Sequence, residues 1–182
     1  NILLPSYQFE RANAWYSSYG KPNEQVQILI YLGRSYANDG DYDKAMSIYT
    51  NALEIGEKNK LYNLVGYTYS YIGDLYREKA MRTEAIKKYE MAADNFKKEN
   101  NTDSYACALR DMGREYACTD SISRALEILL MADSITETSE DKDVKASIEN
   151  TLGNIYVMHN KYDKAKKFFY NCLLYTSDAA DE

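Results

Sequence analysis

Proline and glycine are scarce, two and eight among 182 residues, too few to furnish the turns of a loop-rich all-β fold. Cationic excess is missing as well. Lysine and arginine number 22 against 28 aspartates and glutamates, a formal charge of −6, with an isoelectric point near 5.0. That balance argues against a sequence-independent grip on nucleic acid, which needs a basic face to displace counterions. No apolar run approaches the ~18 residues of a membrane-spanning helix. Histidine occurs once, at His159, without a second histidine or a cysteine pair at metal-ligand spacing. Glycine-rich phosphate loops, nucleophile elbows and dinucleotide fingerprints are lacking too. The expectation is therefore no enzyme activity, no catalytic residue, no metal and no cofactor. Paired carboxylates such as Asp141 and Asp143 fall at a helix start, where capping and the helix dipole account for them. Cys107 and Cys118 fall on one expected helix, and eleven residues of rise separate them by roughly 16 Å. A disulfide needs less than ~7 Å between Cα atoms, so they do not pair while that helix stands.

What is present is a globular composition, 45% hydrophobic and 27% charged, with 19 tyrosines. It carries a repeat. Gly33, Gly73, Gly113 and Gly153 follow one another at intervals of 40. Each follows an apolar residue: Leu32, Ile72, Met112 and Leu152. Each precedes a tyrosine by three: Tyr36, Tyr76, Tyr116 and Tyr156. Alanine stands twelve residues after each glycine, at Ala45, Ala85, Ala125 and Ala165. Four further on comes a large residue, Tyr49, Tyr89, Leu129 or Phe169. Ala52, Ala92 and Ala132 close the pattern in the first three copies. The glycine and alanine positions let two helices approach closely, and the tyrosine on the glycine's face fills the space around that contact.

This pattern resembles the tetratricopeptide repeat, a helix–turn–helix unit with an apolar-Gly-x-x-Tyr segment and a later Ala-x-x-x-aromatic-x-x-Ala segment. The period of 40 exceeds the usual ~34, and the extra length is read as about one added turn in each helix or in the connection. The resemblance implies an all-α, right-handed superhelical solenoid of antiparallel helix pairs, its first helices lining a concave groove. Residues 1–20 are expected to be the second helix of a truncated preceding repeat, and 21–171 four repeats. First helices are predicted near 23–38, 61–79, 103–118 and 142–158. Second helices are predicted near 42–58, 83–98, 121–137 and 162–171. Asp41, Thr83, Ser121 and Asp141 are the expected N-caps. Gly20 ends the first helix and Pro22 opens the next.

The resemblance also implies a protein–protein interaction scaffold that holds a peptide or a partner's helix in its groove. By helical phase the groove residues are Tyr31 and Arg34, then Tyr67, Tyr71 and Asp74, then Arg110 and Arg114, then Asn150 and Asn154. Tyrosine and arginine carry interface energy most often, and asparagine can bond an extended backbone as donor and acceptor. The Lys/Asn clamp of chaperone-binding repeats is not implied, because Ile30 occupies a clamp position. In texture, including Ala132-Asp133-Ser134 after a second helix, the chain is similar to bacterial sensor arrays. The alternative is thus the sensor or regulatory portion of a larger membrane-anchored signalling or transcription-regulatory protein.

The end reads differently. Residues 172–182 resemble the in-frame translation of a transposase-based sequencing-library adaptor, and are expected to be non-native. Without Asp178, Asp181 and Glu182 the formal charge falls from −6 to −3. A stack cut at both ends would expose apolar surface, so self-association of this chain is expected.

Overall fold

The computed structural model describes residues 6–119, 121–139 and 141–178. The chain divides into two units, Asn1–Glu99 and Asn100–Glu182. The first holds α1 (Ser6–Tyr19), α2 (Pro22–Asn38), α3 (Tyr42–Lys58), α4 (Tyr62–Glu78) and α5 (Arg82–Lys98). The second holds α6 (Thr102–Ala117), α7 (Ile122–Ile135) with a 3-10 turn (Thr136–Thr138), α8 (Lys142–Met158) and α9 (Tyr162–Asp178). Among the described residues all regular structure is helical. The pairs α2–α3 and α4–α5 pack closely in the first unit, and α6–α7 and α8–α9 in the second.

From α2 onward, helices start every 20 residues. Most run 17 residues with a three-residue connection. The 40-residue period is therefore two equal halves, each with a full-length helix. Most of these connections share one closure. Gly40 adopts φ 82°, and Lys60, Ala80, Asn100 and Asn160 adopt φ between 54° and 56°. The residue after the left-handed position donates its N–H back to the carbonyl five residues earlier. Asp41 donates to Tyr36 at 2.9 Å, Leu61 to Gly56 at 2.9 Å, Met81 to Tyr76 at 2.9 Å and Lys161 to Tyr156 at 2.9 Å. This is the Schellman closure, which satisfies carbonyls left open at a helix end. All four repeat tyrosines, Tyr36, Tyr76, Tyr116 and Tyr156, supply such an accepting carbonyl, Tyr116 to the Ser121 N–H at 3.1 Å, a role separate from their rings.

Two expected N-caps behave as predicted. Asp41 accepts from the Lys44 N–H at 3.1 Å, and Asp141 from the N–H groups of Asp143 and Val144. Thr83 does not cap α5, because the Schellman turn starts the helix earlier and puts Met81 at that position, without a side-chain bond. Ser121 holds the cap position of α7, but its hydroxyl donates to the Thr119 carbonyl at 3.4 Å instead. The α-helical part of α7 ends at Ile135, before the expected 137. There the Thr136 hydroxyl bonds the Asp133 carbonyl at 2.9 Å within the tightened last turn. Helix α9 continues past Asn171 to Asp178, and the last four residues of the expected non-native tail lie outside the described residues.

The repeat glycines are filled by aromatic or large aliphatic side chains. A Cβ on Gly33 would stand 2.4 Å from the Tyr49 ring, and one on Gly73 would stand 2.6 Å from the Tyr89 ring. In the second unit the partners are Leu129 at 2.6 Å from Gly113 and Phe169 at 2.4 Å from Gly153. Each gap is smaller than a carbon contact permits, so the missing side chain is what admits the partner. Tyr49, Tyr89 and Leu129 are fully buried as a result. A further small residue, Gly66, receives Phe96 in the same way, with 2.7 Å to the ring.

The first unit extends its register backwards into α1. Phe9 stacks on Tyr31 with centroids 6.0 Å apart and planes at 19°. Forty residues later Tyr49 stacks on Tyr71 at 6.0 Å and 16°. The repeated geometry places α1 against α2 as α3 lies against α4.

Candidate functional site

The first helices of the first unit, α2 and α4, bound two adjoining clefts. One, of about 260 Å³, is lined by Gln27, Ile30, Tyr31, Arg34, Leu64, Tyr67 and Tyr71. The other, of about 390 Å³, shares Arg34 and Tyr71 and adds Asp74, Arg77, Tyr42 and Glu78. All five residues expected from helical phase in this unit therefore line one cleft or both. Phase alone did not name Gln27, Ile30 and Leu64, although Gln27 lies seven residues before Arg34 on the same face.

The aromatic floor is built in layers. Tyr49, held by Gly33, supports Tyr71, and the Arg34 guanidinium sits 5.0 Å above the Tyr71 ring. Burial pushes the Tyr71 phenol up, partly opposed by the Arg34 charge. At the rim, Tyr31 is 47% exposed and Tyr67 38%. Tyr67 is braced edge-on by Phe96 with centroids 4.9 Å apart. Asp74 is engaged within its own unit. It accepts from the Tyr89 hydroxyl at 2.8 Å and pairs with Arg77 at 2.9 Å.

The second unit has a cleft of about 340 Å³ lined by Arg114, Cys118, Ser147, Asn150, Thr151, Asn154, Ile155 and Met158. Three expected residues, Arg114, Asn150 and Asn154, line it together. Arg110 has another attachment. Its guanidinium donates to the Ser147 hydroxyl at 2.8 Å and to Asp111 at 2.9–3.1 Å, joining α6 to α8. Arg114 also reaches Asp111, at 3.4 Å. Burial raises the Cys107 thiol above its ordinary range, which makes it a poor nucleophile. Cys118 is exposed.

In the second unit Glu149 and Asp133 each bury a carboxylate oxygen without a hydrogen-bond partner among the described residues, which the sequence did not signal. Glu149 is 2% exposed, at the position held by Leu29, Tyr69 and Leu109 in the other copies. Asn171 donates to one of its oxygens at 3.2 Å, while the other is buried without a hydrogen-bond partner among the described residues. One oxygen of Asp133 is in the same condition. Desolvation raises both carboxyls above their usual range. Asp133 raises Glu149 further, Lys145 lowers both, and Lys167 and Glu137 act on Asp133 in opposite senses. Among the described residues no group of three His, Cys, Asp or Glu side chains is placed to hold a metal ion. No helix there is long and apolar enough to cross a membrane.

Residues 24–98 match the family model of the tetratricopeptide repeat. The photosystem I assembly protein Ycf3 of Acaryochloris marina (strain MBIC 11017) is 34% identical over 79 residues, which is 42% of this chain and 47% of that protein. The chain thus spans less than half the length of this curated relative. Among solved structures, BtubC (BKLC) from P. vanneervenii superposes with a TM-score of 0.77 at 19% identity, covering 96% of this chain and 76% of that one. MamA superposes with a TM-score of 0.66 at 20% identity, covering 96% and 92%. At these identities the two structures speak to the fold, and the fold they share with this chain is an all-helical repeat.

Proposed function

From a chain whose residues 24–98 are tetratricopeptide repeats, and whose fold is of that repeat type, we propose a binding scaffold that acts without catalysis. Its site is the pair of clefts between α2 and α4, and its partner is a peptide or helix of another protein. The observation that carries this reading is the cleft wall itself. Tyr31 and Tyr67 stand open to solvent beside half-buried Tyr71 and stacked Arg34, on helices fixed by the Gly33–Tyr49 and Gly73–Tyr89 contacts. Rigid aromatics and arginine on a fixed backbone lose little entropy on binding, which favours them as anchors. The similarity to a protein named for photosystem assembly supports a role in bringing proteins together. Arg114, Asn150 and Asn154 are proposed as a second contact surface in the other unit.

The test uses dodecapeptides selected from a random phage-displayed library on the intact chain and then synthesised. Their affinity should fall at least tenfold for the double variant Tyr31→Ala, Tyr67→Ala. It should stay within twofold for Lys87→Ala, Glu90→Ala on the exposed face of α5. Equal affinity for the cleft variant and the native chain overturns the assignment.

A further inference from the structure

Arg34 is the one charged side chain lining the smaller cleft of the first unit. Its contact among the described residues is the Tyr71 ring, 5.0 Å from the guanidinium carbon. A ring face takes none of the five N–H donors of a guanidinium. No ion pair or hydrogen bond from Arg34 to a carboxylate exists among the described residues. Of the two acids on the adjoining wall, Asp74 is taken up by Arg77 and Tyr89, and Glu78 lies 3.6 Å from Arg77.

The third copy shows what is absent here. Eighty residues on, Arg114 occupies the same register as Arg34, and Asp111 occupies that of Tyr31. Arg114 and Asp111 lie 3.4 Å apart, an i,i+3 pair on one helix face. In the first copy the acid is replaced by tyrosine, so the arginine keeps its donors and gains an aromatic wall. Apolar Ile30 and Leu64 complete the surroundings. A carboxylate entering this cleft meets a single positive charge beside low-dielectric walls, where attraction is screened less than in open water. The planar fork matches a carboxylate with two parallel hydrogen bonds.

We propose that the α2–α4 cleft recognises a peptide segment by an internal aspartate or glutamate side chain, received by Arg34 and flanked by large apolar side chains. This rests on the groove reading above and specifies its ligand. The chain's own formal charge of −6 disfavours acidic partners at long range, so selectivity for the carboxylate is local to Arg34. The flanking apolar side chains pack against Ile30, Leu64 and the faces of Tyr31 and Tyr67.

The experiment runs the random dodecapeptide selection in parallel on the native chain and on Arg34→Gln. Native-chain peptides should be enriched in aspartate or glutamate next to leucine, phenylalanine or tryptophan. Peptides from Arg34→Gln should keep the apolar preference and lose the acidic one. The leading native-chain peptide, synthesised with acetylated and amidated ends, should lose at least tenfold in affinity when its acidic residue becomes the amide. That difference should shrink below twofold on Arg34→Gln and diminish in 0.5 M salt. Acidic enrichment that is absent, or equal on both proteins, overturns the proposal. So does a peptide whose Arg34-dependent binding requires a free C-terminal carboxylate instead of the side chain. Peptides that ignore Arg34 yet need Tyr31 and Tyr67 overturn the carboxylate assignment alone, whereas peptides indifferent to all three residues overturn the groove reading itself. An unchanged helical circular-dichroism spectrum and melting temperature of Arg34→Gln establish that the variant is folded.

Discussion

The two units follow one register and fill it with different chemistry. In the first, the large residue against the repeat glycine is a tyrosine twice over, Tyr49 and Tyr89. In the second it is Leu129 and Phe169. The first unit leaves Arg34 on an aromatic face, while the second binds Arg110 and Arg114 to Asp111. Glu149 of the second unit is buried where the first has Leu29 and Tyr69. Backbone geometry is thus held by a few small residues, and the remaining positions are free to diverge. A change at one register position decides whether a charge is consumed inside the protein or offered to a partner.

The largest expected effect breaks the comparison at its glycines. Gly33→Ala drives a methyl into the buried Tyr49 ring, which has no exit, and should cost about 3 kcal/mol in urea unfolding. Gly113→Ala meets the Cγ of Leu129, equally buried but smaller than a ring and free to change rotamer, and should cost about 2 kcal/mol after the helix-propensity gain of alanine. Equal losses at the two sites would show that ring rigidity is irrelevant.

Next in size is the buried carboxylate. Burial raises Glu149 and Asp133, so the folded state binds their protons more tightly than the unfolded chain does. Their contribution is fully favourable below the ordinary carboxylate range of about 4 and is lost as pH rises through the raised folded values. Glu149→Gln should therefore add about 1.5 kcal/mol of stability at pH 7.5 and little at pH 4. Parallel stability–pH curves for the two proteins would refute this.

The arginine contrast can be exchanged. Tyr31→Asp recreates in the first copy the acid three residues before arginine that Asp111 provides in the third. It should weaken binding of the acidic dodecapeptide at least tenfold by occupying Arg34 internally, as measured by fluorescence anisotropy. The glutamine form of that peptide should lose less.

The smallest effect concerns the connections, where the units are most alike. Ala80 carries a Cβ at φ 56°, so Ala80→Gly should raise stability by about 1 kcal/mol. Gly40→Ala should lower it by a similar amount, through backbone strain alone, since no atom stands within 4 Å of the added methyl.

Much of the fold was legible because spacing is a property of the chain. Glycines at an interval of 40, apolar neighbours and tyrosines three residues on located the helix pairs within a residue or two, apart from the end of α9, expected at 171 and found at Asp178. The exceptions have local causes. Thr83 carries a capping side chain, but the Schellman turn at Ala80 had already set the start of α5. Helical phase named nine groove residues, five in the first unit and four in the second. It could not show that Arg110 would be drawn to Ser147 across to another helix. Nor could it show that Glu149 would lie inside, since a glutamate among polar neighbours reads as a surface residue.

The sequence by itself determined the repeat, the helical class and the positions where helices approach. Those depend on side-chain size and periodicity, which are written in order along the chain. Only the tertiary structure decided which charges are spent and which remain. Asp111 takes Arg110 and Arg114, Arg77 and Tyr89 take Asp74, and Arg34 is left on a tyrosine ring. Ion pairing depends on distances of 3–4 Å in space and on the loss of water around each group, and neither is set by sequence spacing alone.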